Sequence, residues 1–407
     1  MKRHIIFIQN VMAGGGAERH TINIINHLIS KGWSAQILLT AMKTDEIVTL
    51  FNLDASVKVE SLVDKENLCG KIVDAVNRIE RFALKCVTWL YCHMGRGNSK
   101  PEWLLKANFV SENKNVINGI RKVIQKSDEA AVLLTVLDVP IFQTIFANKR
   151  YGKKHVIAGF ADPARKMAAS QFVTMMFNEY YQNADHVIFQ TPGAMSAFNS
   201  AVQNKGVIIP NPLSDNLPKP YTGTRKKDIV NFCRFSAQKN IPLLLQAFKL
   251  LHDDYPEYKL TIYGGATTDE EEMCLQECNQ LVIQLALESS VSFPGFCNNV
   301  HEKIIDAAMF VSSSDYEGLS NSMIEAMAIG LPVICTDCPA GGASYMIEDG
   351  VNGLLTPVGD VESLYKAMKR VAEDNELAIK MSNNAVQVRE RLKLEKIADE
   401  WMKALDV

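Results

Sequence analysis

The chain has 407 residues, of which 47% are hydrophobic and 22% charged, a balance that is ordinary for a soluble α/β protein. So long a chain exceeds one hydrophobic core and fits two domains of about 200 residues. Nine cysteines, an odd and scattered number, argue against a disulfide framework and for reduced thiols in the cytoplasm.

The formal net charge of −3 conceals an asymmetry. Residues 1–212 carry 25 Lys and Arg against 17 Asp and Glu, whereas residues 213–407 carry 18 against 29. Opposite charge on the two halves suggests different partners for each. No nucleic-acid partner is expected.

The first strand, Ile5–Ile8, follows a short basic start with no long apolar leader and no cleavage motif. A glycine loop, NVMAGGG (10–16), leads into a helix over 17–30 closed by Gly32. Strand, glycine loop and helix in that order set backbone N–H groups at a helix start, which suits an anion; a merely tight turn is the competing reading. The dinucleotide fingerprint fails, because Arg19 stands where its third glycine belongs. Strands are predicted at 35–40 and 57–63. Residues 69–94 read as one amphipathic helix, with apolar positions 72, 76, 79, 83, 87 and 90 and cations at Lys71, Arg78, Arg81 and Lys85. Such a helix suits an anionic membrane surface, or a core-packing role with a solvated basic face. The apolar run 130–147 is too interrupted to span a bilayer and reads as strand plus helix.

Alternation continues with helices near 108–126, 139–149, 170–183 and 192–202 and strands at 131–137, 155–160, 186–190 and 206–209. This implies a doubly wound parallel sheet. Pro210-Asn211-Pro212 stops it, and a polar stretch over 213–227 places the hinge. The pattern then restarts: strand 229–232, loop 233–239, helix 241–251, strand 259–263, helix 268–287, strand 291–294, helix 299–307, strand 308–313. The domains are therefore expected at 1–212 and 213–390, with a C-terminal helix in 391–407 returning toward the first domain. A cleft between two such domains is the default ligand site.

The densest stretch is SSSDYEGLSNSMIEAMAIG (312–330). Glu317 falls on a strand-to-helix turn and Glu325 about a turn and a half into the helix, which Gly330 closes before Pro332. Two carboxylates placed so, beside free N–H groups of a helix start, suit two hydroxyl-bearing parts of one ligand; two solvated glutamates on a capped helix is the plain alternative. Arg234 and Lys239 frame the loop after the first strand of the second half, where two cations suit a diphosphate. A departing diphosphate needs a metal or fixed cations. No Asp-x-Asp occurs, so no metal site is expected and the two cations would act instead. Cys335-x-x-Cys338 and Cys274-x-x-x-Cys278 lack a second ligand pair and are read as non-zinc.

Taken together, GGGAER (14–19), RFSAQK (234–239), YGG (263–265), PGF (294–296) and EGLSNSMIEA (317–326) resemble the family 4 glycosyltransferases of the GT-B fold, whose paired carboxylates form the E-x7-E motif. The stretches EAMAIGLPVICTDCPAGG (325–342) and EDGVNGLLTPVGD (348–360) look like the bacterial branch that builds surface glycans. The resemblance is dense over 186–372 and weak over 41–150. It implies two Rossmann-like parallel-sheet domains facing a cleft, the C-terminal one holding a nucleoside-diphosphate sugar and the N-terminal one an acceptor. By it, Glu317 would hold the hexose hydroxyls and Glu325 the ribose, while Arg234 and Lys239 would bind the diphosphate. The N–H groups of Gly318, Leu319 and Ser320 would contact sugar and phosphate. Gly15 and Gly16 would close over the donor, with Gly264 in its binding loop and Phe296 by the base. Transfer would retain the anomeric configuration without a cofactor or metal.

Two departures stand out. Cys233 precedes Arg234 where the family has glycine. A histidine found in many members after the 155–160 strand is missing, which leaves Asp162 or Arg165 as acceptor residues. The expected acceptor is a glycan or a polyprenyl-diphosphate-linked sugar, at the inner face of the cell membrane. A nicotinamide oxidoreductase and a non-catalytic carbohydrate-binding protein are the rival readings.

Overall fold

The computed structural model describes residues 3–12, 16–44, 52–63, 81–89, 91, 100–136, 138–159, 162–214 and 216–406. These form two compact units, one of Met1–Phe189, Met195–Ile209 and Ala398–Val407, the other of Gln190–Ala194 and Pro210–Ile397. The C-terminal helix Leu394–Asp406 therefore ends among residues of the first unit. Arg3 pairs there with Asp406 at 2.6 Å. The short exchange at 190–194, where the chain visits the second unit before returning, has no counterpart in the expected boundary at 212.

Among the described residues the first unit holds seven strands: β1 (His4–Gln9), β2 (Ser34–Leu39), β3 (Lys58–Ser61), β4 (Val132–Val136), β5 (His155–Gly159), β6 (His186–Phe189) and β7 (Gly206–Ile208). They lie in the order β3-β2-β1-β4-β5-β6-β7, all parallel. Ile5 to Ile8 are completely buried, as continuous apolar strands must be when helices cover both sheet faces. The second unit holds β8 (Asp228–Phe232), β9 (Lys259–Tyr263), β10 (Val291–Gly295), β11 (Met309–Ser312), β12 (Val333–Thr336) and β13 (Leu354–Thr356). Their order is β10-β9-β8-β11-β12-β13, again all parallel. Helix Ile241–Asp254 buries Leu244, Leu245, Phe248 and Leu251 in one core with Leu364 and Met368 of helix Val361–Glu373. Each such side chain contributes about 1.5–3 kcal/mol by leaving water.

In each sheet the strand order reverses once beside the first strand. The reversal lies between β1 and β4 in the first unit and between β8 and β11 in the second. Loops leaving the carboxyl ends of such a pair diverge and open a crevice.

Several helices are broken where uniform periodicity predicts one element. The expected 108–126 helix is two, Glu102–Glu112 and Lys114–Lys126. At the joint, Asn113 donates its side-chain amide to Phe109 O (2.9 Å) and accepts from Gln143 (2.8 Å), a side-chain bond that competes with helix continuation. The expected 170–183 helix becomes Gln171–Met175, a π turn Met176–Tyr180 and a 3₁₀ turn Tyr181–Asn183. The wider turn lets Met175, Met176 and Phe177 all face inward along with Tyr181. Residues 192–202 form two short helices, Pro192–Ser196 and Ser200–Gln203. Of the expected 69–94 helix, residues 69–80, 90 and 92–94 lie outside the described residues; 81–89 are helical.

Candidate functional site

The site is built on the β8/β11 reversal of the second unit. After β8 the chain passes Arg234 into a 3₁₀ turn, Ala237–Lys239. Asn240 then turns left-handed (φ +40°) and caps helix Ile241–Asp254 by accepting from Leu243 N at 3.2 Å, as asparagine tolerates that conformation. After β11 the chain runs through Ser313–Tyr316 to Glu317. The two loops are stitched together: Asp315 N donates to Gln238 O (3.0 Å), Gln238 Nε2 to Tyr316 O (2.9 Å) and Asn240 Nδ2 to Asp315 Oδ1 (2.7 Å). Ser313 Oγ reaches both Lys239 O and Asn240 O at 3.0 Å.

This stitching places Lys239 and Glu317 in a direct ion pair between Nζ and Oε2. Their side chains are 15% and 21% exposed, so both charges are largely removed from water. The two residues expected to take different parts of one ligand are here joined to each other. Arg234, whose side chain is 70% exposed, rests one Nη1 on Glu271 Oε1 at 3.2 Å. Glu271 is buried, and Thr267 donates to its Oε2 from both N and Oγ1 at 2.8 Å. These two bonds, supported by the nearby Arg234 charge, hold the carboxyl below its ordinary range.

Ser320 caps helix Asn321–Ala328 through Met323 N, and Gly330 (φ +79°) ends it. Leu319 is buried while Gly318 and Ser320 lie beside it. Glu325, on that helix, has Oε2 2.9 Å from His301 Nε2. His301 meets Phe232, the last residue of β8, edge-on at 5.5 Å between ring centroids. Phe296 is 77% exposed after β10. A Cβ on Gly264 would stand 1.7 Å from Cys233 O, and one on Gly342 would stand 1.6 Å from Gly318 O. Both positions therefore admit glycine alone unless backbone moves.

Gly15 lies outside the described residues, and Gly16 opens helix Gly16–Ser30 of the first unit. Asp162 caps helix Pro163–Ala169 by accepting from Arg165 N at 3.2 Å. The two acceptor-side expectations are thus neighbours through a helix cap. Lys166, on the same helix, pairs with Asp138 after β4 at 2.6 Å. Burial pushes the thiols of Cys233 and Cys278 up to about 12 and that of Cys338 to about 11, and raises Cys335 as well. These thiols stay protonated and unreactive at neutral pH. Among the described residues no group of three or more His, Cys, Asp or Glu side chains is placed to hold a metal.

Sequence reasoning missed Glu271, His301 and Gly342. Glu271 belongs to the run DEEE (269–272), which reads as a solvated helix start. His301 sits on a five-residue helix, Val300–Ile304, too short for periodicity to show which side faces the site.

Two all-parallel α/β units with this reversal define the GT-B class of fold. The chain superposes on Anabaena HepE, solved with UDP and glucose, with a TM-score of 0.74 over 99% of both chains at 19% identity. It superposes likewise on Staphylococcus aureus TarM with a TM-score of 0.71 over 100% of both chains at 15% identity. Residues 214–388, within the second unit, match the family model described as "Glycosyl transferases group 1". A protein of Haemophilus influenzae described as an uncharacterized glycosyltransferase is 22% identical over 98% of this chain and 99% of its own. A Campylobacter jejuni N-acetylgalactosaminyltransferase, named for a diphospho-undecaprenol-linked acceptor, is 31% identical over 44% of this chain and 47% of its own.

Proposed function

We propose that the protein is a retaining glycosyltransferase that moves a hexose or N-acetylhexosamine from a nucleoside-diphosphate sugar, UDP-linked in the first instance, to a glycan or polyprenyl-diphosphate-linked acceptor in surface-polysaccharide synthesis. The observation that carries this reading is the meeting of Lys239 and Glu317 across the β8/β11 reversal. A cation and a carboxylate side by side at that crevice match a donor's two chemistries, an anionic diphosphate and a neutral, hydroxyl-rich sugar. Arg234 adds a second cation at the same loop, and Glu325 a second carboxylate one helix away.

In this reading Arg234 and Lys239 stabilise the negative charge that grows on the diphosphate as its bond to the anomeric carbon breaks. Glu317 orients the hexose by accepting from its hydroxyls, and Glu325 takes the ribose with His301 behind it. Phe296 lies by the base. The leaving phosphate oxygen takes the acceptor proton, so no separate base is required, and the cations act without a metal or cofactor. HepE's solved complex with UDP and glucose and the Campylobacter enzyme's name support a UDP donor and a lipid-linked acceptor.

The test is a panel of UDP-, GDP- and ADP-sugars incubated with purified protein and a polyprenyl-diphosphate sugar in excess EDTA. Acceptor-dependent release of the nucleoside diphosphate, with an α-linked product from an α-linked donor, is expected. Turnover that EDTA abolishes and Mn²⁺ restores overturns metal independence. Hydride exchange with NAD(P)H in place of sugar transfer would overturn the whole reading.

A further inference from the structure

We propose that Glu271 is a positioning residue that aims Arg234 at the donor diphosphate. The inference rests on the donor-site reading of Arg234. Arg234 has a mostly exposed, flexible side chain, which by itself would sample many rotamers. It is tethered to a group that cannot wander. Glu271 is 5% exposed and sits in the first turn of helix Asp269–Gln284, whose N-cap, Thr268, accepts from Glu271 N at 3.3 Å.

The T-x-x-E arrangement of Thr268 and Glu271 is that of a capping box, in which the glutamate would turn back to the N-cap amide. Here its Oε2 is instead satisfied one residue earlier, by Thr267 N and Oγ1. That leaves Oε1 directed at Arg234 Nη1, 37 residues away in sequence and on the β8 loop. A guanidinium has five N–H donors in a rigid plane. One held by Glu271 fixes that plane and leaves the others for phosphate oxygens, an arrangement a lysine ammonium could not reproduce. The carboxylate stays charged throughout the neutral range because its hydrogen bonds favour the ionised form.

A double-variant cycle tests this, with turnover and the affinity for whichever of UDP, GDP and ADP the wild-type protein binds as readouts. Glu271→Gln keeps an acceptor for Thr267 but turns an amide toward Arg234. It is expected to lower kcat about tenfold, less than the ~10²–10³ loss typical of deleting a charge stabiliser, as in Arg234→Ala. In the Arg234→Ala background, Glu271→Gln should then cost nothing further in kcat, while any fall in melting temperature persists. Thr267→Val, which removes only the hydroxyl donor, should show a smaller kcat loss that also vanishes without Arg234, and serves if Glu271→Gln folds poorly. A merely capping Glu271 would lower stability, leave kcat alone and act equally in both backgrounds; that result overturns the proposal. If Arg234→Ala turns over like wild type, or the wild-type protein binds none of the three nucleotides, the donor-site reading falls with it. If Arg234→Ala is crippled while both Glu271→Gln and Thr267→Val keep wild-type kcat, only the positioning role falls.

Discussion

Lys239 and Glu317 neutralise one another across the loops that follow β8 and β11. Neither charge could be left alone in so closed a place without a large desolvation cost. The pair therefore compensates both charges, and in the proposed reading it also sets the terms on which a donor enters. In the proposed reading a diphosphate draws Lys239 away from Glu317, and the freed carboxylate takes hexose hydroxyls as its new donors. A nucleoside diphosphate without its sugar offers Lys239 a partner but leaves Glu317 with none, beside an anion.

Free nucleoside diphosphate should therefore bind Glu317→Gln more tightly than wild type. Relief of one charge competition is expected to improve affinity about tenfold, or roughly 1.4 kcal/mol. The same variant should lose kcat by about 10²–10³, because in the proposed reading the hexose contact tightens as charge develops. Lys239→Ala should weaken diphosphate binding and turnover together. Isothermal titration with UDP, beside turnover on the donor sugar, reads both. An unchanged or weaker affinity in Glu317→Gln would show that the ion pair does not compete with the diphosphate.

The strands and the charged residues of these loops are legible in the sequence for different reasons. β1, β4 and β11 are short continuous apolar runs bounded by turn residues, a pattern that buried parallel strands require. Arg234, Lys239 and Glu317 lie in loops and Glu325 on the helix that follows, at spacings that are themselves the signal. Their partners are not legible. Glu271 is 37 residues from Arg234 and His301 is 24 from Glu325; only closure of the sheet brings them together. The helix breaks at Asn113 and Met176 are hidden for a related reason. They depend on a bond to Gln143 and on inward packing of consecutive side chains, neither of which local periodicity records.

Gly342→Ala is expected to disable turnover without altering any charged side chain of the proposed donor site. Its new Cβ would meet Gly318 O at 1.6 Å and Leu319 Cα at 3.0 Å. Both are backbone atoms, which cannot rotate aside, so the Glu317–Ser320 loop must move. A displacement of about 1 Å at a positioned group can cost 10²-fold in rate. Turnover near wild type with an unchanged melting temperature would mean that this loop is not held in place by Gly342.

Membrane attachment is expected to run through the first unit. Phe82 and Trp89 are 69% and 59% exposed on the 81–89 helix, and Trp103 is 58% exposed on the next. The two helices are joined by Asn108 Nδ2 donating to Thr88 Oγ1 at 3.1 Å. No described helix is long and apolar enough to cross a bilayer. Interfacial aromatics with nearby cations such as Lys85 suit shallow insertion into an anionic surface, each cation contributing about 1 kcal/mol at most. The protein should cosediment with anionic vesicles at low salt and release at high salt. Phe82→Ser with Lys85→Glu and Trp89→Ser should abolish cosedimentation while sparing turnover on a soluble acceptor. Undiminished vesicle binding by that triple variant would place the contact elsewhere.

His155 is buried at the start of β5, with Nε2 2.8 Å from Thr135 Oγ1 and its backbone N donating to Asp185 Oδ2 at 2.7 Å. Burial outweighs the attraction of Asp185 and lowers the imidazole from 6.5 to about 4. Folding thus holds the ring neutral where the unfolded chain would protonate it. The sign follows: the unfolded state binds the extra proton between pH 6.5 and 4, so stability is fully present above 6.5 and falls as pH drops toward 4. The loss across that window is on the order of 3 kcal/mol for a single group. Urea unfolding monitored by circular dichroism at pH 7.5, 6 and 4.5 should show this fall. His155→Gln, which cannot protonate but keeps a polar partner for Thr135, should start less stable and lose less across the same interval. Equal losses in the two proteins would assign the acid sensitivity to the carboxylates, and His155 would have no part in it.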